Sequence, residues 1–181
     1  MPTGIAAMTP QERAVAQRIH SVNFIKLLSN GQEEYNSYGD FHIIPSEMPF
    51  IVPAPPIFSY VTVPGAKNGE VDVSTALTGE MMYGNREGSL KFLYENKYRV
   101  ATPSHSGSGY MSPFQITTAM SAIHGQEVKL ILMDNPSIYY KGRVWVETFT
   151  PGQQEAGTIE IKYKFEPYSR NVSNNNQVSV L

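Results

Sequence analysis

The sequence predicts a mainly β fold of antiparallel sheets, with one central helix and a short N-terminal helix. Three observations lead to this prediction. Residues 158–166 alternate strictly between apolar and polar side chains, which is typical of a strand with one buried and one wet face. Short apolar runs recur between turn signals supplied by 14 glycines and 13 prolines. Two segments carry the start signals of helices.

The first of these segments lies near the N-terminus. Thr9-Pro10-Gln11-Glu12 has the pattern of a capping box with proline at the first helical position. The following alanines, valine and isoleucine favour a helix that ends near His20. Because so short a helix is not stable alone, we expect it to pack on a neighbour or to fray.

Strand candidates follow from residue 23 onward. In chain order they are residues 24–28, 58–63, 70–73, 89–95, 128–133, 138–149 and 158–166. The pair Asn30-Gly31 predicts a tight turn after the first of them. Residues 49–56 contain four prolines and predict an extended segment outside the centre of a sheet, because proline fixes φ and lacks a donor.

The central helix is predicted to begin at Ser112-Pro113. The pattern is again a hydroxyl residue at the N-cap followed by proline, with Gln115 three residues after the cap. Ile116, Met120 and Ile123 fall on one helical stripe that stops at Gly125. The small residues of 102–109, before this helix, predict a loop. Residues 171–181 form a tail that we expect to be flexible or to add a short strand to a partner.

Composition and charge exclude several function classes. The 14 Lys and Arg residues against 16 Asp and Glu residues provide no basic field for binding nucleic acid. The absence of cysteine excludes disulfides, thiolate catalysis, zinc fingers and iron–sulfur clusters. We expect no secretory signal at the N-terminus, and the most apolar window contains too many prolines for a spanning helix.

The patterns that could carry chemistry are weak. Residues 79–84 have the glycine spacing of a phosphate loop, but Asn85-Arg86 stands where Lys and a hydroxyl residue are needed. The four histidines, His20, His42, His105 and His124, show no pairing that would hold a metal on a helix. We therefore expect no metal, no cofactor and no enzymatic activity.

Several short motifs occur in a fixed order along the chain, including Leu27-Leu28-Ser29-Asn30-Gly31, Tyr83-Gly84-Asn85-Arg86 and Phe165-Glu166-Pro167-Tyr168. The motif residues are Asn30, Gly31, Pro64, Gly65, Gly69, Thr78, Gly79, Tyr83, Gly84, Asn85, Arg86, His124, Gly125, Tyr140, Gly142, Arg143, Pro167 and Tyr168. Their order and spacing over residues 23–171 resemble the N-terminal domain of phage distal tail proteins, which are ring components of the tail tip or baseplate of long-tailed phages.

The resemblance implies a β-sandwich-like belt domain over residues 23–170, preceded by the helical extension 1–22 and followed by the tail 171–181. It implies a homo-hexameric ring that joins the tail tube protein to the tail hub and surrounds the channel for genomic DNA. Tape-measure and receptor-binding proteins are further candidate partners. The implied location is the distal end of the tail in the virion, after assembly in the host cytoplasm. A formal charge of -2 fits a conduit along which DNA slides.

On this interpretation the motif residues act through the backbone and through packing. Pro64-Gly65 ends a strand with a turn, Gly84-Asn85 supplies positive φ, and Gly142 lets two chains approach closely. Arg86 and Arg143 are expected to be packing or interface guanidiniums.

Two other functions remain open on the sequence. A carbohydrate-binding β-sandwich would need exposed aromatic side chains in a groove, and Trp145 is the single tryptophan. A hydrolase would need the loop that holds Ser104 and His105 to be ordered against an acid.

Overall fold

The computed structural model describes residues 10–64, 69–76, 78–94, 113–152 and 156–180. Two helices are present in these ranges, α1 (Pro10–Arg18) and α2 (Pro113–Met120). The strands are β1 (Val22–Leu28), β2 (Gly31–Asn36), β3 (Ile43–Pro45), β4 (Pro56–Ile57), β5 (Tyr60–Thr62), β6 (Glu70–Asp72), β7 (Met82–Tyr83), β8 (Arg86–Tyr94), β9 (Glu127–Leu132), β10 (Ile138–Thr150), β11 (Gly157–Phe165), β12 (Ser169–Asn171) and β13 (Gln177–Ser179).

One large sheet dominates the fold. Its strands follow the order β2-β1-β9-β10-β11-β8-β3, and β12 and β13 extend it from the first residues of β10. Two separate ribbons, β4-β7 and β5-β6, complete the set. Every one of these pairings is antiparallel, so the prediction of a mainly β fold of antiparallel sheets is confirmed.

The main sheet is curved so strongly that its two ends meet. β2 and β3 lie at opposite ends of the strand order. The N–H of Ile43, at the start of β3, nevertheless donates to the carbonyl of Ser37, just after β2, at 2.8 Å. In a flat sheet, six spacings of about 4.8 Å would separate the end strands by about 29 Å. One face of the sheet is therefore enclosed by the other half of the same sheet.

The enclosed face holds the core. On β11 the residues Ile159, Ile161, Tyr163 and Phe165 are each at most 1% exposed, while the residues between them are partly or fully exposed. The predicted two-faced strand is thus confirmed. Helix α2 adds Ile116 and Met120 to the same core, and Ile123 follows in the turns that lead to Gly125. The burial of the predicted stripe is therefore confirmed, but the α-helix ends at Met120, before the predicted end at Gly125.

The predicted turn after β1 is present. Leu28 pairs with Gly31, so the two loop residues are Ser29 and Asn30, and Gly31 is the first residue of β2. The outer face of the sheet carries paired charges, among them Lys162 with Glu147 at 2.8 Å and Arg170 with Glu166 at 2.9 Å. Such exposed pairs add little stability, but they leave this face nearly neutral.

Helix α1 stands apart from the core. Each of its side chains that the structure describes is exposed, and Val15 is 42% exposed. The chain is attached after the helix, where His20 contacts the carboxylate of Asp134 through Nδ1. Neither α1 nor any other helix of the described ranges is long and apolar enough to cross a membrane.

The proline-rich segment lies outside the sheets as expected, since no strand occurs between Pro45 and Pro56. The segment crosses the enclosed face and buries Ile51 and Ala54. The Ala54 N–H donates to the carbonyl of Val180 at 2.9 Å.

The C-terminal tail differs from its prediction. We expected residues 171–181 to be flexible or to pair with a partner, but β13 pairs with β12 of its own chain. The reason is tertiary, because the segment 49–56 and a buried arginine described below provide bonding partners that local sequence does not reveal.

Candidate assembly interface

Arg86, the last residue of the Tyr83-Gly84-Asn85-Arg86 motif, is fully buried at the start of β8. Its Nε donates to the carbonyl of Pro167 at 2.8 Å, its Nη1 to that of Val52 at 2.9 Å, and its Nη2 to that of Ser179 at 3.1 Å. These carbonyls belong to three separate parts of the chain. Arg86 therefore joins the extended segment 49–56, the end of β11 and the C-terminal strand at one point.

Arg86 makes no ion pair with an acidic side chain among the described residues. Its guanidinium carbon lies 5.3 Å from the centre of the Tyr140 ring, which is a favourable cation–π distance. Burial lowers the pKa of Arg86, and the nearby Tyr140 and Tyr163 act in the opposite direction. The guanidinium remains charged, because an arginine is not deprotonated in proteins at ordinary pH.

Other motif residues surround Arg86. The Tyr83 and Tyr168 rings meet edge to face at 6.4 Å. The Gly84 N–H donates to the carbonyl of Pro55 at 2.8 Å. A Cβ at Gly142 would lie 2.1 Å from the carbonyl oxygen of Lys164, so β10 and β11 could not approach this closely with any other residue. Motifs far apart in sequence thus converge on one end of the sheet.

The role predicted for Gly84-Asn85 is wrong. Neither residue is among the positive-φ residues of the described chain. A Cβ at position 84 would instead lie 3.3 Å from Cγ of Pro55, so the glycine is explained by space. Asn85 is exposed next to this contact.

A second group of motif residues follows α2. Gly125 has a φ of +71° and ends the helical turns. Its carbonyl accepts a hydrogen bond from Nη1 of Arg143 at 2.9 Å, and Nδ1 of His124 accepts one from the Val146 N–H at 3.1 Å. This group ties the end of the helix to β10.

The remaining motif residues lie in turns or directly beside them. Asn30 and Gly31 join β1 to β2, and Pro64 follows β5. Gly69 and Gly79 have φ values of +72° and +73°, and the Thr78 hydroxyl donates to the Glu80 carbonyl at 2.6 Å. Gly65 lies outside the described residues.

The ribbons β4-β7 and β5-β6 form an arm that extends from the Arg86 cluster. Ile57 pairs with Met82 at its base, and Val61 pairs with Val71 further out. All residues of β4, β5 and β6 are exposed, on both faces of the ribbon. The apolar side chains that it presents are Ile57, Phe58, Tyr60, Val61, Val63, Val71 and Met82, each at least 41% exposed.

Such an arm is unusual for an isolated chain. A two-stranded ribbon is marginally stable at best in water, and contiguous exposed apolar residues mark interaction surfaces. Sequence reasoning placed strands here but missed the exposure. In sequence, the apolar residues of the arm look like those of buried strands. The many glycines and prolines on both sides are the one local sign that the ribbon projects from the main sheet.

The histidines that the structure describes lie in structural surroundings. His20 and His124 make the contacts given above. His42 is half-buried with its pKa lowered, because burial outweighs the nearby Asp40. Among the described residues, no three His, Asp or Glu side chains are grouped to hold a metal. Ser104 and His105, on which a hydrolase would depend, lie outside the described residues.

The alternative of a carbohydrate site finds little support. Trp145 is half-buried on β10, and its indole N–H donates to Glu147 at 3.0 Å. Lys162 donates to the same carboxylate at 2.8 Å and lowers the pKa of Glu147. The indole is thus part of the charged outer face.

No protein family model matches the sequence, and no curated protein is similar to it. Among solved structures, the chain is similar to one described as "Crystal Structure of SPP1 Dit (gp 19.1) Protein, a Paradigm of Hub Adsorption Apparatus in Gram-positive Infecting Phages". The TM-score is 0.49 at 13% sequence identity, over 83% of this chain and 52% of the other. The chain thus spans about half the length of that protein.

Proposed function

We propose that this protein is a structural component of a phage tail tip, of the distal tail type. Its copies close into a hexameric ring that joins the tail tube to the hub and surrounds the DNA channel, and it catalyses no reaction. The observation that best supports this proposal is the exposed arm. Its strands are exposed on both faces, so they need a partner surface to be stable.

The convergence of the motif residues supports this function. Arg86 and its neighbours Tyr83, Gly84 and Tyr168 hold the base of the arm against the body of the protein. A rigid base directs a projecting element at a fixed angle, as a ring of identical copies requires. The motifs that resemble distal tail proteins therefore fall where an assembly function needs rigidity.

The experiment is a measurement of mass in solution by light scattering. We expect a species six times the mass of the 20.2 kDa chain, alone or after addition of the tail tube protein of the same phage. A chain that remains monomeric in both conditions contradicts the proposal. Oligomerisation that requires the partner is compatible with it, because binding shifts such equilibria by mass action.

A matched variant tests the arm itself. Ile57 and Met82 are paired across the base, so a two-residue Asn-Gly loop can join them in place of residues 58–81. We expect this variant to fold and to lose the oligomer. A variant that still forms rings would show that the arm is not the assembly element.

A further inference from the structure

Strand β3 leaves β8 after a short pairing and opens a groove. The Ser46 N–H donates to the Lys91 carbonyl at 2.9 Å, and beyond this bond the chain turns away from β8. A cavity of about 290 Å³ lies between residues 47–52 and residues 89–92, with Tyr163 also in its lining. Met48 and Phe50 on its wall are 67% and 64% exposed.

The edge of β8 in this groove has no backbone partner. The N–H and C=O of one residue in a strand point to the same side, and alternate residues share that side. Because the Lys91 carbonyl points towards β3, the backbone groups of Ser89 and Glu87 point to that same side of β8, and Ser89 lines the groove. No hydrogen bond to a described residue involves them on that side. This edge of β8 thus offers two unpaired residues, Ser89 in the groove and Glu87 next to it.

The arm carries a matching edge. Val63 N–H donates to Gly69 at 3.1 Å and Val73 N–H donates to Ser59 at 2.8 Å, so the odd-numbered residues of β5 face β6. The backbone groups of Tyr60 and Thr62 therefore point away from β6 and are unpaired within the described chain.

The two free edges of the arm differ in charge. On β6 the outward residues are Glu70 and Asp72, and charged residues on an edge oppose strand addition. On β5 the outward residues are Tyr60 and Thr62, which are uncharged. β5 is therefore the edge that is open to pairing.

We propose that β5 of one copy adds to the open edge of β8 in a second copy, and that apolar arm side chains fill the groove. Each edge offers two unpaired residues, two positions apart, so the lengths match. The cavity is at or below the lower end of the range for small-molecule pockets, about 300 Å³, and suits one or two side chains. This rests on the proposed ring, in which each copy supplies one arm and one groove.

Crosslinking between different copies tests the contact. The chain has no cysteine, so single cysteines introduced by Val61→Cys and Ser89→Cys are unique. The two full-length variants are purified separately, mixed and treated with a short bismaleimide. We expect a product of twice the chain mass, because each arm lies in the groove of another copy.

The control replaces Val61→Cys with Val172→Cys, because Val61 and Val172 are 49% and 46% exposed. We expect at least about tenfold more product from the arm pair, since docking raises the effective concentration of the two thiols. Equal yields from both pairs, or no product, overturn the proposal. If Ser89→Cys does not fold, Glu87→Cys on the same edge replaces it with the same expected and contrary outcomes.

Light scattering on the same mixtures separates this proposal from the ring. A hexamer without the arm-to-groove product overturns the β5–β8 contact and leaves the ring intact. If the crosslinked product forms but light scattering never detects a species larger than two copies, the result supports the β5–β8 contact and contradicts the hexamer.

Discussion

At the scale of single residues, Arg86 is the side chain on which most depends. It is fully buried and donates to three carbonyls that lie 34, 81 and 93 positions away in the sequence. Replacing it would remove the donor to the Val52 and Pro167 carbonyls, while the Ser179 carbonyl would keep its bond from the Ser169 hydroxyl at 3.1 Å. A buried polar group without a partner costs about 1–3 kcal/mol.

We expect Arg86→Ala to lower the free energy of unfolding by about 3 kcal/mol or more, because removing a fully buried side chain leaves a cavity and two carbonyls lose their donor at the same time. Urea unfolding followed by circular dichroism measures the change. Arg143→Ala is the matched control, since Arg143 is exposed and makes one bond to Gly125. We expect it to cost less than about 1 kcal/mol. Similar losses in both variants would mean that Arg86 does not hold together the three parts of the chain that it contacts.

Gly142 gives a second prediction at this scale. The Gly142→Ala methyl group would meet the backbone of Lys164 at 2.1 Å and of Phe165 at 2.6 Å, which cannot rotate away. Overpacking of this kind costs typically about 1–3 kcal/mol. Gly84→Ala meets a proline side-chain atom at 3.3 Å and should cost less. Thermal unfolding ranks the two, and the reverse order would contradict the close approach of β10 and β11.

His42 predicts a pH dependence. Burial lowers the pKa of His42 in the folded protein below its value in the unfolded chain, which is about 6.5. The unfolded state therefore binds the proton more readily, and stability is lost as the pH falls below about 6.5. His42 has a φ of +52°, which asparagine tolerates, so His42→Asn is the variant to compare. Urea midpoints measured from pH 7.5 to about 5 should fall less for His42→Asn than for the unmodified protein; identical profiles would contradict this assignment.

At the scale of elements, the contrast lies between β11 and the arm. β11 alternates between the core and a charged outer face, and it pairs on both sides. β5 and β6 have one partner each and no buried face. Elements with few buried contacts open with low free energy, so the arm should acquire its order from assembly.

Hydrogen exchange can measure this difference. In the isolated chain we expect the β5–β6 amides to exchange rapidly and the β11 amides slowly. On assembly, protection of the arm should rise by more than about tenfold, while β11 stays unchanged. An arm that is as protected as β11 before assembly would show that it is already covered within its own chain.

At the scale of the whole molecule, the sheet curls until its ends meet near Ser37, and this encloses the core with little help from helices. The outer face carries acidic and basic side chains in pairs, among them Lys164 with Glu87 and Lys141 with Glu127. The formal charge is -2 per chain, so a ring of six copies would carry six times that charge. Such a ring offers DNA a passage without a basic surface to hold it.

We therefore expect assembled protein to show no measurable binding to labelled duplex DNA at about 50 mM or about 200 mM salt. Fluorescence anisotropy is the measurement. Binding that weakens steeply with salt would reveal a basic surface and contradict the proposed conduit.

The sequence by itself determined the central helix and seven of the thirteen strands in the described ranges, and it missed the short strands β2, β3, β4, β7, β12 and β13. The alternation on β11 and the stripe Ile116, Met120 and Ile123 were predictable, because burial of one face imposes a local period of two or 3.6 residues. The motifs also singled out Arg86, Gly84 and Gly142 as residues worth explaining.

Only the tertiary structure decided what those residues do. Arg86 bonds to segments far away in the chain, and Gly84 is needed for its distance from Pro55 and not for its φ. The arm's exposure and the open edge at Ser89 likewise depend on where other strands end. Local sequence reports which face of an element is apolar, but what covers that face is decided by contacts between residues that the chain brings together only on folding.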